Sequence, residues 1–278
     1  TGRYISPYGK DIPTPNLQCL AEQGALFRQC CTAAPTCSPS RAALLTGMAP
    51  HSCGMFGLAH RGWRLSDYRQ HIVHTLRDKA GYESALAGIQ HIAAKRTVPE
   101  GTDAIGYDRV LHAPSRYAPP VAQAAADFIR EPHDKPFFLS VGIFETHRGF
   151  PDAEERDDPR YSAVPAPLPD VPEIREDMAC FKTSARRFDE GVGTVLNALE
   201  ESGLADNTLV IATTDHGIAF PAMKCNLTDH GMGVMLIMRG PQDMEALRGG
   251  RVIDALVSQI DLFPTICDML DIPHPDWL

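Results

Sequence analysis

Residues 37–47 of the chain read CSPSRAALLTG, and this stretch sets a cysteine against the start of a short helix. Pro39 suits the first helical position, Ser38 or Ser40 can cap the helix, and Gly47 is placed to end it. Free backbone amides and the helix dipole then point toward Cys37. The pattern predicts a site for a tetrahedral anion at this end of the helix.

Arg41 follows Cys37 by about one helical turn, so it would add a permanently charged, forked donor to that site. The ordinary alternative is that Cys37 is a small buried residue and Arg41 is a surface charge. The particular spacing of the C-x-P-S-R string favours the anion site.

Outside this stretch, short apolar strand candidates alternate with helical patterns. They predict an α/β fold with a mostly parallel, mixed central sheet flanked by helices. The clearest predicted strands are 136–144, 208–214 and 234–238. The predicted helices are 15–23, 40–46, 74–80, 120–129, 176–201 and 262–270. The Pro- and Asp-rich segment 150–172 has no clear period, which indicates a long surface loop near the site.

Composition bounds the class of protein. The chain has 278 residues, of which 44% are hydrophobic, so it can bury a large core as one big domain or two smaller ones. The 26 basic and 35 acidic side chains give a net charge of -9, which argues against a general nucleic-acid surface. No apolar run approaches the roughly 18 residues that a membrane span needs. Specificity for an anion must therefore be local.

The eight cysteines include no C-x-x-C pair and no zinc-like spacing, so most are expected to be free core thiols. A disulfide between some of them stays open, because spacing does not pair them. The adjacent Cys30 and Cys31 end an apolar segment, and packing within a strand is expected of them.

The predicted strand 208–214 runs into Asp215-His216-Gly217 at its carboxyl end, where α/β sheets place their chemistry. Asp215 and His216 can both reach one cation: the carboxylate suits calcium or magnesium, and the imidazole suits softer metals. An isolated D-H-G also occurs in ordinary turns that an Asp caps. Lys224, eight residues past His216, is placed to neutralise a metal-bound anion and to help a leaving oxygen depart.

The chain resembles the sulfatase family of the alkaline phosphatase superfamily over nearly its whole length. The matching segments occur in the family's order and are 14–17 (TPNL), 37–47, 81–91 (GYESALAGIQH), 137–148 (FFLSVGIFETHR), 207–217 (NTLVIATTDHG), 220–227 (FPAMKCNL) and 260–265 (IDLFPT). The run 55–58 (MFGL) and the segment 220–227 are most similar to the sulfamidase, or heparan N-sulfatase, branch. The resemblance implies an alkaline-phosphatase-like domain that hydrolyses a sulfate ester or sulfamate, expected to be that of a sulfated carbohydrate.

The resemblance also implies the site and its cofactors. A separate formylglycine-generating enzyme or radical maturase would oxidise Cys37 to Cα-formylglycine, whose hydrate attacks sulfur. His147 or Lys224 would then protonate the leaving group, and His91 would take a proton from the second hydroxyl. The implied catalytic residues are Cys37, Arg41, His91, His147 and Lys224, and the implied metal ligands are Asp215, His216 and Cys37. The metal is expected to be Ca²⁺, with Mg²⁺ as the alternative, and neither a nucleic-acid partner nor a membrane span is expected.

Two departures from the family pattern affect these expectations. The family has a lysine two positions before the histidine of the third motif, and this chain has Ile89 there. Lys95 or Arg96 is the candidate to enter the site in its place. The family's first strand, which ends in a pair of metal-binding aspartates, is expected to precede Thr1. We therefore expect residues 1–278 to be a partial N-terminal catalytic domain without that strand and without the C-terminal subdomain, and of low or no activity by itself.

Two other functions stay open at the level of sequence. A phosphodiesterase or phosphonate monoester hydrolase of the same superfamily can use the same modified cysteine on phosphorus, and an inactive relative could bind a sulfated glycan or a partner. His51 and His230 are secondary candidates for substrate contact, and the remaining histidines are expected to be surface or structural residues. For localisation, the resemblance makes a periplasmic, secreted or lysosome-like compartment plausible.

Overall fold

The computed structural model describes residues 1–95 and 101–278. Its helices are α1 (Pro15–Gln23), α2 (Cys37–Thr46), α3 (Pro50–Cys53), α4 (Ile72–Ala80), α5 (Ala118–Arg130), α6 (Pro172–Glu201), α7 (Asp229–Met232) and α8 (Leu262–Met269). Its strands are β1 (Ala25–Phe27), β2 (Cys30–Cys31), β3 (Glu83–Gly88), β4 (Arg109–Leu111), β5 (Phe137–Gly142), β6 (Val210–Thr213), β7 (Gly233–Val234), β8 (Leu236–Arg239), β9 (Arg251–Ile253) and β10 (Val257–Ser258). None of the described helices is long and apolar enough to cross a membrane.

A parallel three-stranded sheet, ordered β4-β3-β5, carries two of the sequence motifs. β3 pairs with β5 along its full length, from Glu83 opposite Phe137 to Gly88 opposite Gly142. The predicted strand 136–144 is confirmed as β5. β3 was not among the predicted strands, because its alanine-rich sequence ESALAG has few of the β-branched and aromatic residues that mark a strand.

A mixed four-stranded sheet, ordered β6-β8-β1-β9, includes the strand β6 that leads into the D-H-G motif at residues 215–217. β8 runs antiparallel to β6 and β1, and β9 runs parallel to β1. The predicted strand 208–214 is confirmed as β6. The predicted strand 234–238 is divided: β7 joins a small third sheet, β10-β2-β7, and β8 joins the mixed sheet. Cys30 and Cys31 form β2, as expected.

Helices cover both faces of the parallel sheet, which confirms the α/β class with mixed sheets. On one face, Ala87 of β3 packs against Val121 and Ala125 of α5, and α5 packs along α6. On the other face, Leu86 packs against Val73 of α4 and Ala42 of α2. The helix that carries the first motif therefore shares a hydrophobic cluster with the sheet.

The predicted helices are all present, and several begin earlier than the sequence indicates. α2 begins at Cys37 rather than at residue 40, so Pro39 is its third residue, and neither Ser38 nor Ser40 caps it. The capping prediction is wrong because both hydroxyls bond to other segments. Between Gly149 and Val171 the chain is irregular apart from a 3-10 helix at Pro159–Tyr161, which agrees with the predicted loop.

A cavity of about 1270 Å³ separates the parallel sheet from the mixed sheet. One wall includes all of β5 and the opposite wall includes all of β6. Within the described part of the chain, β5 pairs only with β3 and β6 pairs only with β8, so one edge of each strand is unpaired. Apolar side chains of α6, such as Phe188, and of α8, such as Phe263, line the cavity as well.

The start of α1 is held by a carboxylate from α6. Asp189 is only 1% exposed, and its two oxygens accept the backbone N–H groups of Asn16 at 3.0 Å and Leu17 at 2.8 Å. Thr14, the residue before the helix, makes no side-chain cap. Asp189 thus supplies the acceptors that a cap residue normally provides, and it meets the positive end of the helix dipole.

Replacing Asp189 with alanine should lower the free energy of unfolding by about 2–4 kcal/mol, because buried N–H groups lose a charged acceptor. Asp127→Ala, on the exposed side of α5, is the control and should change it by less than about 0.5 kcal/mol. Urea unfolding of both variants measures the difference. An Asp189→Ala protein as stable as the control would contradict this role.

Candidate active site

Cys37 is the first residue of α2 and is 5% exposed. The preceding residue, Thr36, is extended, so the chain turns into the helix at the cysteine itself. Gly47 ends the helix as predicted: it has a φ of 68° and its N–H donates to the carbonyl of Ala43. The positive end of the helix dipole therefore lies at Cys37.

The two serines of the motif fix α2 to the segments that carry the other site residues. The hydroxyl of Ser38 accepts the N–H of Ala59 at 3.0 Å and donates to the carbonyl oxygen of His91 at 2.5 Å. The hydroxyl of Ser40 donates to the carbonyl oxygen of Asp215. Both serines are fully buried, so the sequence expectation of capping missed their function as connectors.

Asp215 and His216 lie at the carboxyl end of β6, beside the start of α2. Arg41 donates from Nε to Asp215 Oδ2 at 3.0 Å, and His216 Nε2 lies 3.3 Å from the Sγ of Cys37. His216 Nδ1 lies 2.7 Å from the carbonyl oxygen of Gly217, so the ring is held with its Nε2 toward Cys37. Burial raises the pKa of Asp215, but Arg41 and other nearby positive charges outweigh it and hold the pKa well below its usual range.

Gln259 is hydrogen-bonded to the end of β6, and the sequence analysis did not identify it as a site residue. Its side-chain amide donates to the carbonyl of Thr214 at 2.7 Å and to the hydroxyl of Thr213 at 2.8 Å. Its oxygen lies 3.3 Å from the hydroxyl of Ser40. The residue is fully buried, so these bonds fix the strand end against α2. Its position just before the I-D-L-F-P-T segment was the one available signal.

His147 and Lys224 meet across the mouth of the site. His147 follows β5, and its Nδ1 lies 2.8 Å from the carbonyl of Arg148, so that nitrogen is the donor. Its Nε2 lies 3.5 Å from the Nζ of Lys224. A hydrogen bond with Cys37 raises the pKa of His147. The structure thus brings the two predicted proton donors together on one side of residue 37.

His91 approaches residue 37 from the parallel sheet. It follows the end of β3 in the left-handed region, with a φ of 54°. Its Nε2 lies 3.0 Å from the Nδ1 of His60, an exposed residue that the sequence analysis expected to be a surface or structural histidine. Ile89 lines the cavity near this end of β3, and its N–H donates to the carbonyl of Gly142. No charged side chain stands at that position.

The replacement candidates for the family lysine do not reach the described site. Lys95 is exposed and packs near Gly101, and it is not among the described residues that line the cavity. Arg96 lies outside the described residues.

Arg116 does line the cavity, with its guanidinium 3.7 Å above the ring of Phe144, and sequence reasoning missed it. Of the secondary candidates, His51 is exposed on α3, and His230 bonds through Nδ1 to the hydroxyl of Tyr4 at 2.7 Å.

The environment of Cys37 strongly favours an anion. Burial by itself raises the pKa of the thiol, but hydrogen bonds from His147, His216 and His91 outweigh it and lower the pKa to about 4. Donor atoms of Cys37, Asp215 and His216 also lie within 4.8 Å of one another, close enough to hold one metal ion. The predicted site residues therefore converge on residue 37.

In protein whose Cys37 has not been oxidised, the rate of alkylation of Cys37 should be independent of pH from about pH 5 upward. The reason is that the pKa of the thiol is about 4, so the thiolate persists over that range. An ordinary thiol, with a pKa near 8.5, loses reactivity over that range as the pH falls. His216→Ala should raise the pKa by removing one hydrogen bond, while His230→Ala should leave it unchanged. Alkylation followed by peptide mass spectrometry measures the profile, and a wild-type rate that climbs until about pH 8 would contradict it.

Comparison with known proteins agrees with this geometry. A sulfatase family model matches residues 2–272. Human N-sulphoglucosamine sulphohydrolase is 32% identical over 291 residues, which cover 96% of this chain and 58% of that protein. The chain thus spans little more than half the length of this relative.

Solved structures share the fold. One is the structure of a protein in complex with its substrate D-glucosamine-2-N,6-O-disulfate. Its alignment with this chain has a TM-score of 0.73 and 18% identity, and it covers 99% of this chain and 75% of the other protein. Phosphonate monoester hydrolase of Agrobacterium radiobacter has a TM-score of 0.75 and 21% identity, covering 98% and 72%. These two likenesses concern the fold, whereas the family model matches the sequence of the chain over residues 2–272. The chain belongs to the sulfatase family.

Proposed function

We propose that this chain is the catalytic part of a sulfatase that hydrolyses a sulfate ester or sulfamate of a sulfated carbohydrate. The observation that carries the proposal is the convergence of three imidazoles, from His91, His147 and His216, on residue 37 at the N-terminal end of α2. A group at this position has several hydrogen-bond donors for its negative charge and several imidazoles that can transfer a proton.

Residue 37 supplies the nucleophile after oxidation by a maturase. As a hydrated formylglycine it carries two hydroxyls on one carbon: one attacks the sulfur, and loss of the other's proton regenerates the aldehyde and releases sulfate. The Sγ of Cys37 marks the direction of those oxygens from the backbone. Position 37 is buried, so the attacking group is shielded from bulk water.

His147 and Lys224 serve the leaving group. The Nδ1 of His147 donates to the carbonyl of Arg148, so a proton taken up at Nε2 is placed to pass to the departing alcohol or amine. Lys224, 3.5 Å from that nitrogen, adds positive charge for the sulfate oxygens. Arg41 lines the same cavity and also fixes Asp215. The charge of the sulfate is thereby balanced locally, in a chain whose net charge is -9.

His91 is the base that takes the proton of the second hydroxyl. Its carbonyl is fixed by Ser38, the residue after the nucleophile, so its backbone keeps a constant position relative to residue 37. Acid and base thus follow the ends of two neighbouring parallel strands, β5 and β3.

A divalent metal ion fits this donor set in part. The carboxylate of Asp215 and an oxygen on residue 37 are ligands that Ca²⁺ or Mg²⁺ accepts, whereas the imidazole of His216 is not typical of either. When bound, the ion would lower the pKa of the attacking hydroxyl. Since Ca²⁺ takes about six to eight oxygen ligands, further carboxylates are needed.

The cavity between β5 and β6 is the place from which such carboxylates can come. Among the residues that the structure describes, each strand has an unpaired edge on the cavity, and buried backbone N–H and C=O groups need partners. We infer that a further strand fits between them and brings its end beside Asp215. This inference agrees with the aspartate-bearing strand that the family pattern places before residue 1.

The relatives support a proposal for the substrate class. The human relative is named for N-sulphoglucosamine, and a structural neighbour binds an amino sugar that carries an N-sulfate and an O-sulfate. We propose a sulfated amino sugar as the substrate and a formylglycine-generating or radical maturase as the partner that activates it.

Cys37→Ala in the complete, matured protein should abolish turnover of an aryl sulfate and of N-sulfoglucosamine, because the attacking oxygen is lost. Cys19→Ala, an exposed cysteine on α1, is the control and should leave kcat unchanged. Retained activity of Cys37→Ala would overturn the assignment of residue 37.

The same assays separate the alternatives. The wild-type protein should show a higher kcat/KM on aryl sulfate than on an aryl phosphate diester or a phosphonate monoester. A higher value on phosphorus would favour the phosphohydrolase function. A protein that binds sulfated glycan but turns over none of these substrates would be the inactive binding relative.

A further inference from the structure

His60 forms a hydrogen-bonded pair with His91, and His60 has no role in the mechanism proposed above. His60 lies in a 3-10 helix, Ala59–Arg61, and its Nδ1 is 3.0 Å from His91 Nε2. The ring planes differ by only 13°, and the ring centroids are 5.2 Å apart. That separation is close to the nitrogen–nitrogen distance plus the two ring radii, so the two nitrogens face each other in line, as a good hydrogen bond requires.

The side chain of His60 is exposed, but the backbone beside each histidine is anchored in the site. The hydroxyl of Ser38 accepts the N–H of Ala59, the neighbour of His60, and donates to the carbonyl of His91. One buried hydroxyl on α2 therefore sets the backbone positions of both histidines, one residue away from the nucleophile. The distance between the imidazoles is fixed by the same helix that carries residue 37.

The hydrogen bond decides which tautomer His91 adopts. Two neutral imidazoles that face each other can share only one proton between the facing nitrogens, so one donates and the other accepts. If His91 donates from Nε2, its Nδ1 keeps a lone pair and can act as a base toward residue 37. If His60 donates instead, His91 carries its proton on Nδ1 and cannot accept the proton of the second hydroxyl.

We propose that His60 is a positioning residue that accepts a hydrogen bond from His91 Nε2 and thereby keeps the Nδ1 of His91 free to act as the base. The proposal rests on the proposed function for its catalytic consequence. When Nδ1 takes the proton, His91 becomes a cation and its Nε2–H becomes a charged donor, so its bond to the lone pair of His60 Nδ1 strengthens. Ile89, nearby on the same segment, offers no donor or acceptor that could orient His91 instead.

The direct test is the tautomer of His91 in a full-length Cys37→Ser chain without metal. In the unmodified chain the Cys37 thiolate takes a hydrogen bond from His91, whereas a serine hydroxyl can donate to Nδ1 as the hydrate of formylglycine would. Nitrogen-15 NMR of the imidazoles should show His91 protonated on Nε2 in Cys37→Ser and a mixture of tautomers when His60→Ala is added. Adding His60→Asn instead should keep the Nε2 tautomer, because the asparagine Oδ1 can take the place of the accepting Nδ1. His274→Ala, which removes an exposed histidine paired with Asp268, is the matched control.

An unchanged tautomer of His91 in a folded Cys37→Ser chain that also carries His60→Ala would overturn the proposal, as would protonation of His91 on Nδ1 in Cys37→Ser itself. The backbone amide spectrum shows whether each variant is folded. If the His60→Ala variant does not fold, the tautomer in Cys37→Ser and the spectrum with His60→Asn still decide.

In the complete, matured enzyme, His60→Ala should lower kcat by roughly 10- to 100-fold with little change in KM, as for other residues that orient a working histidine. His60→Asn should recover most of the loss, and an equal loss in both variants would contradict the positioning role. If the wild type and His274→Ala hydrolyse no sulfate, the proposed function fails, while the NMR result still tests the His60–His91 pair.

Discussion

The N-terminal turn of α2 is the constraint on which the site depends. The parallel sheet and the mixed sheet share no strand pairing among the described residues, yet their ends must meet within a few ångströms for the chemistry to work. Ser38 bonds to the carbonyl of His91 after β3, and Ser40 bonds to the carbonyl of Asp215 after β6. Two buried hydroxyls, two residues apart, thus join two sheets to one helix end.

The same turn explains the electrostatics. Placing Cys37, Asp215 and Arg41 together in a largely buried site is costly unless the charges are compensated. Here Arg41 pairs with Asp215, the imidazoles of His91, His147 and His216 surround position 37, and the helix dipole adds to them. These contacts lower the pKa values of both the carboxyl and the thiol. A site that holds anions this strongly suits a doubly charged oxyanion leaving group or product such as sulfate.

Much of the fold and most of the site residues could be predicted from sequence, for identifiable reasons. Strands such as β5 and β6 are apolar and bounded by polar residues, so they stand out, and helices such as α1 carry a clear period. β3 was missed because alanine packing against α5 replaces the usual strand residues. The capping assignment failed because a serine hydroxyl near a helix start has several partners within reach, and only tertiary structure selects among them.

His60 and Gln259 show the same limit at the site itself. Each is an ordinary polar residue in a segment without a distinctive pattern, and each acquires its function from a contact across many residues of sequence. The cavity between β5 and β6 is another feature of tertiary structure, because an unpaired strand edge is invisible in the strand's own sequence. Motifs located the chemistry, whereas the orientation of each group required the fold.

The central claim is that residue 37 is a modified nucleophile rather than a buried cysteine. Mass spectrometry of the peptide that carries residues 37–41, from the native host or after co-expression with a maturase, tests it most directly. We predict a mass that has lost one sulfur and gained one oxygen, and a peptide that reacts with a hydrazide as an aldehyde does. An unmodified cysteine at position 37 under those conditions would contradict the claim.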